Sequence, residues 1–290
     1  MALPIMRQAR RHLFPASVGL AHLALHAYLH AAADGASRHA LLYFRVAAPV
    51  VLALMAASWL RAARAPRVAP RAFPAAAAAL LKTRLKKRDG SPRWCRQCSV
   101  YKPDRAHHCR LCGVCVPVMD HHSPFLGTCV GHHNVKFHTL FQVYAVCHAT
   151  TMCIGISYLI FGLGLGDQGR WALLRTTGIL ASILAMLLAG GHGLICFMNL
   201  RPILSGYTTI EWHEERRRDP KLWGKSSPYS KGNVWADVMH IFGANPLFML
   251  PVNGPDLSEG VSPTPSPEGA TRIAKFYSDR DGGQQGGETN

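Results

Sequence analysis

Long apolar runs alternate with strongly polar stretches along this chain, and four of the runs stand out. They cover about 13–33, 40–60, 139–165 and 176–200. Each approaches the roughly 20 residues that a helix needs to cross a hydrocarbon layer about 30 Å thick. The pattern predicts a mainly α fold, a four-helix transmembrane bundle with a loop-rich polar domain between the second and third spans. The first run is the weakest, because alanines and three histidines, His22, His26 and His30, dilute it. Those histidines recur every four residues and share one helix face. Either a metal or proton path or a polar stripe packed against other spans accounts for them, and the stripe is favoured. His148 in the third run is read the same way. Arg7, Arg10 and Arg11 precede the first run in the manner of a signal peptide, but the run is too long for one and leads into further spans, so a retained span is expected.

The polar stretches orient the bundle. Residues 61–138 carry Arg61, Arg64, Arg67, Arg71, Lys82, Arg84, Lys86, Lys87 and Arg88 among others, whereas the short connectors near 34–39 and 166–171 hold only Arg38 and Arg170. By the bias of basic residues toward the cytoplasm, the long loop is cytosolic. An even number of spans then places both termini on the same side. The expected organisation is spans one and two over 1–60, a basic linker over 61–94, a cysteine-rich domain over 95–138, spans three and four over 139–200, a cytosolic region over 201–251 and a disordered tail over 252–290. Within the linker, 64–74 reads as extended and 75–88 as a short interfacial helix. The tail is rich in Gly, Pro, Ser and acidic residues and poor in large apolar ones.

Composition sharpens this picture at two points. The formal charge of +16 suits an anionic surface, and the apolar runs select the lipid bilayer over nucleic acid. Of nine cysteines, six lie between Cys95 and Cys129, interleaved with histidine. Such spacing indicates metal ligation in a reducing compartment rather than a disulfide framework. Cys95-x2-Cys98, His108-Cys109-x2-Cys112-x2-Cys115, His122 and Cys129 supply eight candidate ligands, enough for two tetrahedral zinc sites. Cys147, Cys153 and Cys196 fall in apolar runs and are expected to be small packing residues.

The same segment resembles the cysteine-rich domain of the DHHC-type protein S-acyltransferases, the palmitoyltransferases. The match covers the Cys and His spacing, Asp120-His121-His122, Cys129-Val130-Gly131, Asn134 and Lys102-Pro103-x-Arg105. Outside the domain, Thr208-Thr209-Ile210-Glu211 matches the family's TTxE motif, and 227–243 is similar to its C-terminal motif. The resemblance implies one zinc on Cys95, Cys98, His108 and Cys115, and a second on Cys109, Cys112, His122 and Cys129. Both would be structural. It implies transfer of a long-chain acyl group from acyl-CoA to cysteines of membrane-associated client proteins, at the cytosolic face of an endomembrane or of the plasma membrane. His107, His132 and His133 are assigned to no zinc and are expected to contact solvent or phosphate.

One departure bears on the chemistry. Ser123 stands where the family has its nucleophilic cysteine, so the implied catalytic group is Asp120, His121 and Ser123. A hydroxyl depends on an adjacent base far more than a thiol does. Asp120 and His121 still supply a base and its orienting carboxylate. Two accounts fit Ser123, an arrested variant made by substitution and a natural member with weak transfer. Phe125, Gly127-Thr128 and the missing Asp-Pro-Gly after the second span favour the natural one. A membrane scaffold that keeps the zinc domain as a docking surface is the alternative function.

Overall fold

A computed structural model describes residues 17–28, 42–65, 93–162, 168–218, 226–243, 247 and 249–252. Most of the expected linker (66–92 of 61–94), with its interfacial helix, and the tail beyond 252 lie outside the described residues. The chain divides into two compact units, one of 1–63, 124–127 and 137–198, the other of 64–123, 128–136 and 199–290.

The first unit is helical. Helix α1 is described over 17–28. Helix α2 spans Ala48–Arg64 and is entered through a π-helical stretch, Tyr43–Ala47. Helix α3 spans Val135–Gly162, and α4 spans Gln168–Ile203. Among the described residues three stretches are long and apolar enough to cross a membrane: Arg45–Arg64, Val135–Tyr158 and Arg175–Ile203. The expected first span is described only over 17–28, twelve helical residues, so its full length falls outside what is described. Helix α3 is the buried member, with 61% of its span covered by protein against 22% and 17% for the other two. This explains why the helix starts at Val135, four residues before the expected 139. Its polar first turn, with Lys136 and His138 buried, is shielded by protein instead of facing lipid.

An apolar core of Leu25, Ala48, Met152, Ile156 and Ala185 ties the helices together. Gly178 allows close packing, since a Cβ there would meet Ile160 Cδ1 at 2.8 Å. By contrast, Leu180, Leu187, Leu194 and Phe197 of α4 stay exposed, as lipid-facing side chains would. Of the three span cysteines, Cys196 is buried and Cys153 packs on the core as expected, whereas Cys147 is exposed. His22 and His148 are wholly buried, with their Nδ1 atoms 2.9 Å apart. His30 lies outside the described residues.

The second unit has little apolar core. Its described residues form three two-stranded antiparallel hairpins. Strands β1 (Trp94–Cys95) and β2 (Val100–Tyr101) form the first, β3 (His107–Cys109) and β4 (Val114–Val116) the second, β5 (His121–Ser123) and β6 (Thr128–Val130) the third. Two short helices follow among the described residues, α5 (Thr209–Arg218) and α6 (Val234–Phe242). Asn233 caps α6 by accepting from the Ala236 amide at 2.8 Å. Gly206, at φ +71°, sits where a Cβ would meet Ser230 Cα at 2.8 Å, so only glycine fits both the turn and the contact.

Candidate zinc centres and catalytic site

The hairpins bring the cysteines and histidines into two clusters. Cys95 and Cys98 flank the turn of the first hairpin, while His108 and Cys115 face each other across the second. Together they form one set. Cys109 and Cys112 flank the second hairpin's turn, while His122 and Cys129 face each other across the third and complete the other set. In each set the four ligand atoms lie within 4.8 Å of one another. The first and second hairpins each contribute their turn to one cluster, and the hairpin that follows contributes its cross-strand pair. The two clusters interleave along the chain for that reason.

The distances fit zinc. Tetrahedral coordination at ordinary Zn–S and Zn–N lengths puts sulfur about 3.5 Å from nitrogen. His108 Nδ1 lies 3.5, 3.2 and 3.9 Å from the sulfurs of Cys95, Cys98 and Cys115. His122 Nδ1 lies 3.6, 3.4 and 3.7 Å from those of Cys109, Cys112 and Cys129. Electrostatics agree. Burial and the neighbouring sulfurs push the Cys115 and Cys129 thiols up, so the sulfurs of a set do not all ionise unaided. A divalent cation between them removes that penalty. Ile210 packs beside Cys109, Met119 and Cys129, so the second cluster carries part of the small core.

The third hairpin also carries the candidate catalytic residues. Asp120 is 5% exposed and saturated with donors. His121 Nδ1 lies 2.7 Å from its Oδ2, the Thr209 amide donates to Oδ1 at 2.6 Å, and the Thr209 hydroxyl donates to Oδ2 at 2.7 Å. Burial alone would push the carboxyl up, but His121 and the Thr209 donors outweigh it and hold Asp120 below the usual carboxylate range. A carboxylate on Nδ1 selects the tautomer in which Nε2 carries the lone pair, the atom a base would use. His121 and Ser123 are two residues apart on one strand, so they project from the same face. The Ser123 hydroxyl, in a residue 1% exposed, makes no hydrogen bond.

Two motifs read separately in the sequence prove to be partners. Arg105 donates to Glu211 from Nε at 2.8 Å and from Nη2 at 2.6 Å, and its Nη2 also reaches the Gly206 carbonyl at 3.0 Å. Its guanidinium stacks 4.6 Å over the Tyr229 ring. Glu211 accepts from the Thr208 amide at 2.8 Å, and the Glu211 amide reaches the Thr208 hydroxyl at 3.3 Å. This is a capping box at the start of α5. The TTxE segment therefore holds Asp120 with its second threonine and Arg105 with its glutamate. Asp237 anchors 227–243 by accepting from the Ser230 hydroxyl at 2.7 Å and the Lys231 amide at 2.6 Å. His132, expected in solvent, is buried instead, edge-on to His133. His107 is half-buried, and burial, with Arg93 nearby, lowers its pKa to about 4.

Residues 88–216 match the family model described as DHHC palmitoyltransferase. Over that segment the chain is similar to the DHHC palmitoyltransferase family. The chain is also similar to curated relatives. The chain is 38% identical over 189 residues to the probable protein S-acyltransferase 16 of Arabidopsis thaliana, covering 61% of this chain and 63% of that protein. It is 34% identical to palmitoyltransferase PFA3 of Candida glabrata over 47% of this chain and 41% of that one. With PFA3 of Kluyveromyces lactis it shares 31% identity, over 51% and 46%. The chain thus spans less than two thirds of the length of each of these relatives. Zinc-type Cys/His clusters, helices able to span a membrane and the DHHC domain occur in one chain.

Proposed function

We propose that this protein is a membrane-embedded protein S-acyltransferase that works by a ping-pong mechanism, with transfer impaired by Ser123. The observation that carries the reading is the Asp120–His121 pair at 2.7 Å, fixed from behind by Thr209 and set on the strand that bears residue 123. In the first half-reaction, residue 123 attacks the thioester carbonyl of a long-chain acyl-CoA. Its proton passes to His121 Nε2, the carbon–sulfur bond to CoA breaks, and the departing thiolate takes the proton. In the second, a client cysteine attacks the acyl-enzyme and residue 123 regains a proton. Asp120 holds the imidazole in one tautomer and stabilises its protonated form. With serine the intermediate is an oxyester, which forms slowly and transfers poorly to a thiol.

In this reading Cys95, Cys98, His108 and Cys115 hold one zinc, and Cys109, Cys112, His122 and Cys129 hold the other. Both ions fix loops and stay out of the reaction. Four spans, with the zinc domain and both termini cytosolic, follow from the basic loop over 61–138. The clients are membrane-associated proteins with cytosolic cysteines. The second reading is a scaffold with little transfer, and the buried, unpartnered Ser123 hydroxyl favours it. Incubation with a fluorescent long-chain acyl-CoA, comparing this chain with Ser123→Cys, decides between them. The enzyme reading expects label in Ser123→Cys that His121→Ala removes. A zinc-replete Ser123→Cys protein that takes up no label from any long-chain donor leaves the scaffold.

A further inference from the structure

A helix holds the turn of the third hairpin. Strands β5 and β6 pair as far as Ser123 opposite Thr128, but the four residues that join them, Pro124–Gly127, belong to the helical unit. There Nε1 of Trp59, on α2, donates to the Phe125 carbonyl at 2.8 Å. Trp59 lies about one turn beyond Met55 and one turn before Ala62, on the side of α2 that carries the buried residues Met55, Ser58 and Ala62. The Phe125 ring packs 5.7 Å from the His192 ring of α4, and Leu126 is buried. The carbonyl and the side chain of Phe125 are therefore both held within the helical unit, two residues beyond Ser123.

Residues 124–127 lie beyond the last cross-strand pair, so the ladder offers their carbonyls no donor. A carbonyl set among apolar helices needs a donor from elsewhere. Backbone amides inside a helix are spent on its own carbonyls, which leaves side chains. Beside Trp59 the other donors are committed. The Ser58 hydroxyl donates to the Leu54 carbonyl at 2.7 Å, and the Arg61 guanidinium lies 5.5 Å over the Phe137 ring. An indole N–H can only donate, and its rigid ring has two torsions to fix, so the bond sets a direction as well as a distance. Residue 123 is then fastened on both sides. His122 and Cys129 gather with their cluster one residue behind it, and Trp59 holds the chain two residues ahead. Pro124 stands between residue 123 and the held carbonyl, and its ring fixes φ, so the segment has little slack. A shift of the Phe125 carbonyl is passed on to residue 123.

We propose that Trp59 is a positioning residue for acyl loading: its indole N–H holds the loop after residue 123 and so keeps that side chain beside His121. This rests on the acyltransferase reading. The test uses full-length protein carrying Ser123→Cys, with Trp59 replaced by benzothienylalanine, which keeps the bicyclic shape and puts sulfur where the N–H was. Fluorotryptophan at the same position keeps the donor and serves as the rescue. Acyl-enzyme formed from hexadecanoyl-CoA is followed in time by intact mass. At saturating donor, the loading rate should fall about tenfold with benzothienylalanine, since a small misplacement of a reacting group is costly. The half-saturating donor concentration and the zinc content should match the parent, and fluorotryptophan should load at the parent's rate. An unchanged rate, a change in half-saturation alone, or an equal fall with fluorotryptophan overturns the proposal. Loss of zinc also overturns it, because the bond would then support the domain and not residue 123. A second measurement needs no acyl donor: alkylation by iodoacetamide of the sulfur at position 123, read on its peptide. If the parent loads from no long-chain donor, the transferase reading fails by itself and alkylation decides the positioning. Slower alkylation with benzothienylalanine that fluorotryptophan restores supports Trp59 as the anchor of residue 123, and equal rates in all three proteins overturn it.

Discussion

The second and third hairpins of the zinc domain share one strand register, yet they carry different side-chain sets. His107-His108-Cys109 pairs with Val114-Cys115-Val116, and His121-His122-Ser123 pairs with Thr128-Cys129-Val130, residue for residue. The ligand spacing Cys-x2-Cys-x9-His-x6-Cys begins at Cys95 and recurs 14 residues later at Cys109. A third copy would begin at residue 123. It has no second ligand, because Leu126 stands where Cys98 and Cys112 stand in the first two. Position 123 is thus a ligand position without a metal set. In the same repeat Ala106 is replaced by Asp120, which gives His121 a carboxylate that His107 lacks. Loss of one ligand and gain of one carboxylate separate the two hairpins, and on the proposed reading they separate a structural hairpin from one equipped for proton transfer.

The sharpest way to break this comparison is to remove the equivalent side chain from each hairpin. Cys109→Ala should abolish the second zinc site and unfold the domain with it, since binding free energy of roughly 10–16 kcal/mol in small zinc domains is also folding free energy. Ser123→Ala should keep both metals and the fold. Elemental analysis with limited proteolysis reads both variants. Two metals retained in Cys109→Ala would show that the repeat does not bind as its geometry suggests. Chelation of the unaltered protein should reproduce the Cys109→Ala pattern.

The next effect concerns the residues that fasten the third hairpin from outside the repeat. Breaking a buried, paired charge leaves its partner desolvated, at about 3–5 kcal/mol. Arg105→Ala should therefore lower thermal stability by that order. Arg105→Lys should recover only part of it, because an ammonium cannot reproduce the two-pronged contact with Glu211. Equal melting of Arg105→Lys and the parent would mean that the fork contributes nothing.

That pairing also marks where the sequence stopped being legible. Candidate zinc ligands could be read because metal geometry constrains local spacing, and hairpins convert that spacing directly into clusters. The long apolar runs could be read because bilayer thickness dictates their length. The link from Arg105 to Glu211 spans 106 residues and has no local signature. Thr208 and Glu211 read as a motif, but a capping box does not reveal that its glutamate also clamps an arginine or that Thr209 holds Asp120. The early start of α3 was hidden for a related reason. Lys136 and His138 look unfit for a span until their burial in protein is seen. The 14-residue repeat is present in the sequence, but only beside the hairpin register does it explain why residue 123 belongs to neither ligand set.

Restoring sulfur at the vacant ligand position comes next in size. Ser123→Cys should raise acyl loading by about 100-fold or more, since a free thiol is a few per cent ionised at neutral pH and a hydroxyl is not. Metal content should stay at two per chain, because Leu126 cannot complete a third set. A third equivalent of zinc in Ser123→Cys would show that other groups can complete the repeat. Label in the unaltered protein should be a trace that resists neutral hydroxylamine.

The smallest expected effect tests how the carboxylate that distinguishes the third hairpin is held. Thr209 gives Asp120 two hydrogen bonds, one from its amide at 2.6 Å and one from its hydroxyl at 2.7 Å. Thr209→Val keeps the shape and the amide but deletes the hydroxyl. A net hydrogen bond contributes about 1 kcal/mol, somewhat more when the acceptor is charged. In the Ser123→Cys background, acyl loading should therefore fall by roughly fivefold, while zinc content and overall fold stay as they were. The direction with pH is also set. Donors to the ionised form hold the Asp120 carboxyl down, so removing one lets it rise toward its ordinary range. Stability that Asp120 contributes above that range is then lost at a higher pH on acidification, and the acid limb of loading should move upward. Asp120→Ala should cost more than Thr209→Val at every pH, because it removes the orienting group itself. Equal losses in the two variants would mean that the threonine hydroxyl, rather than the carboxylate it serves, positions His121.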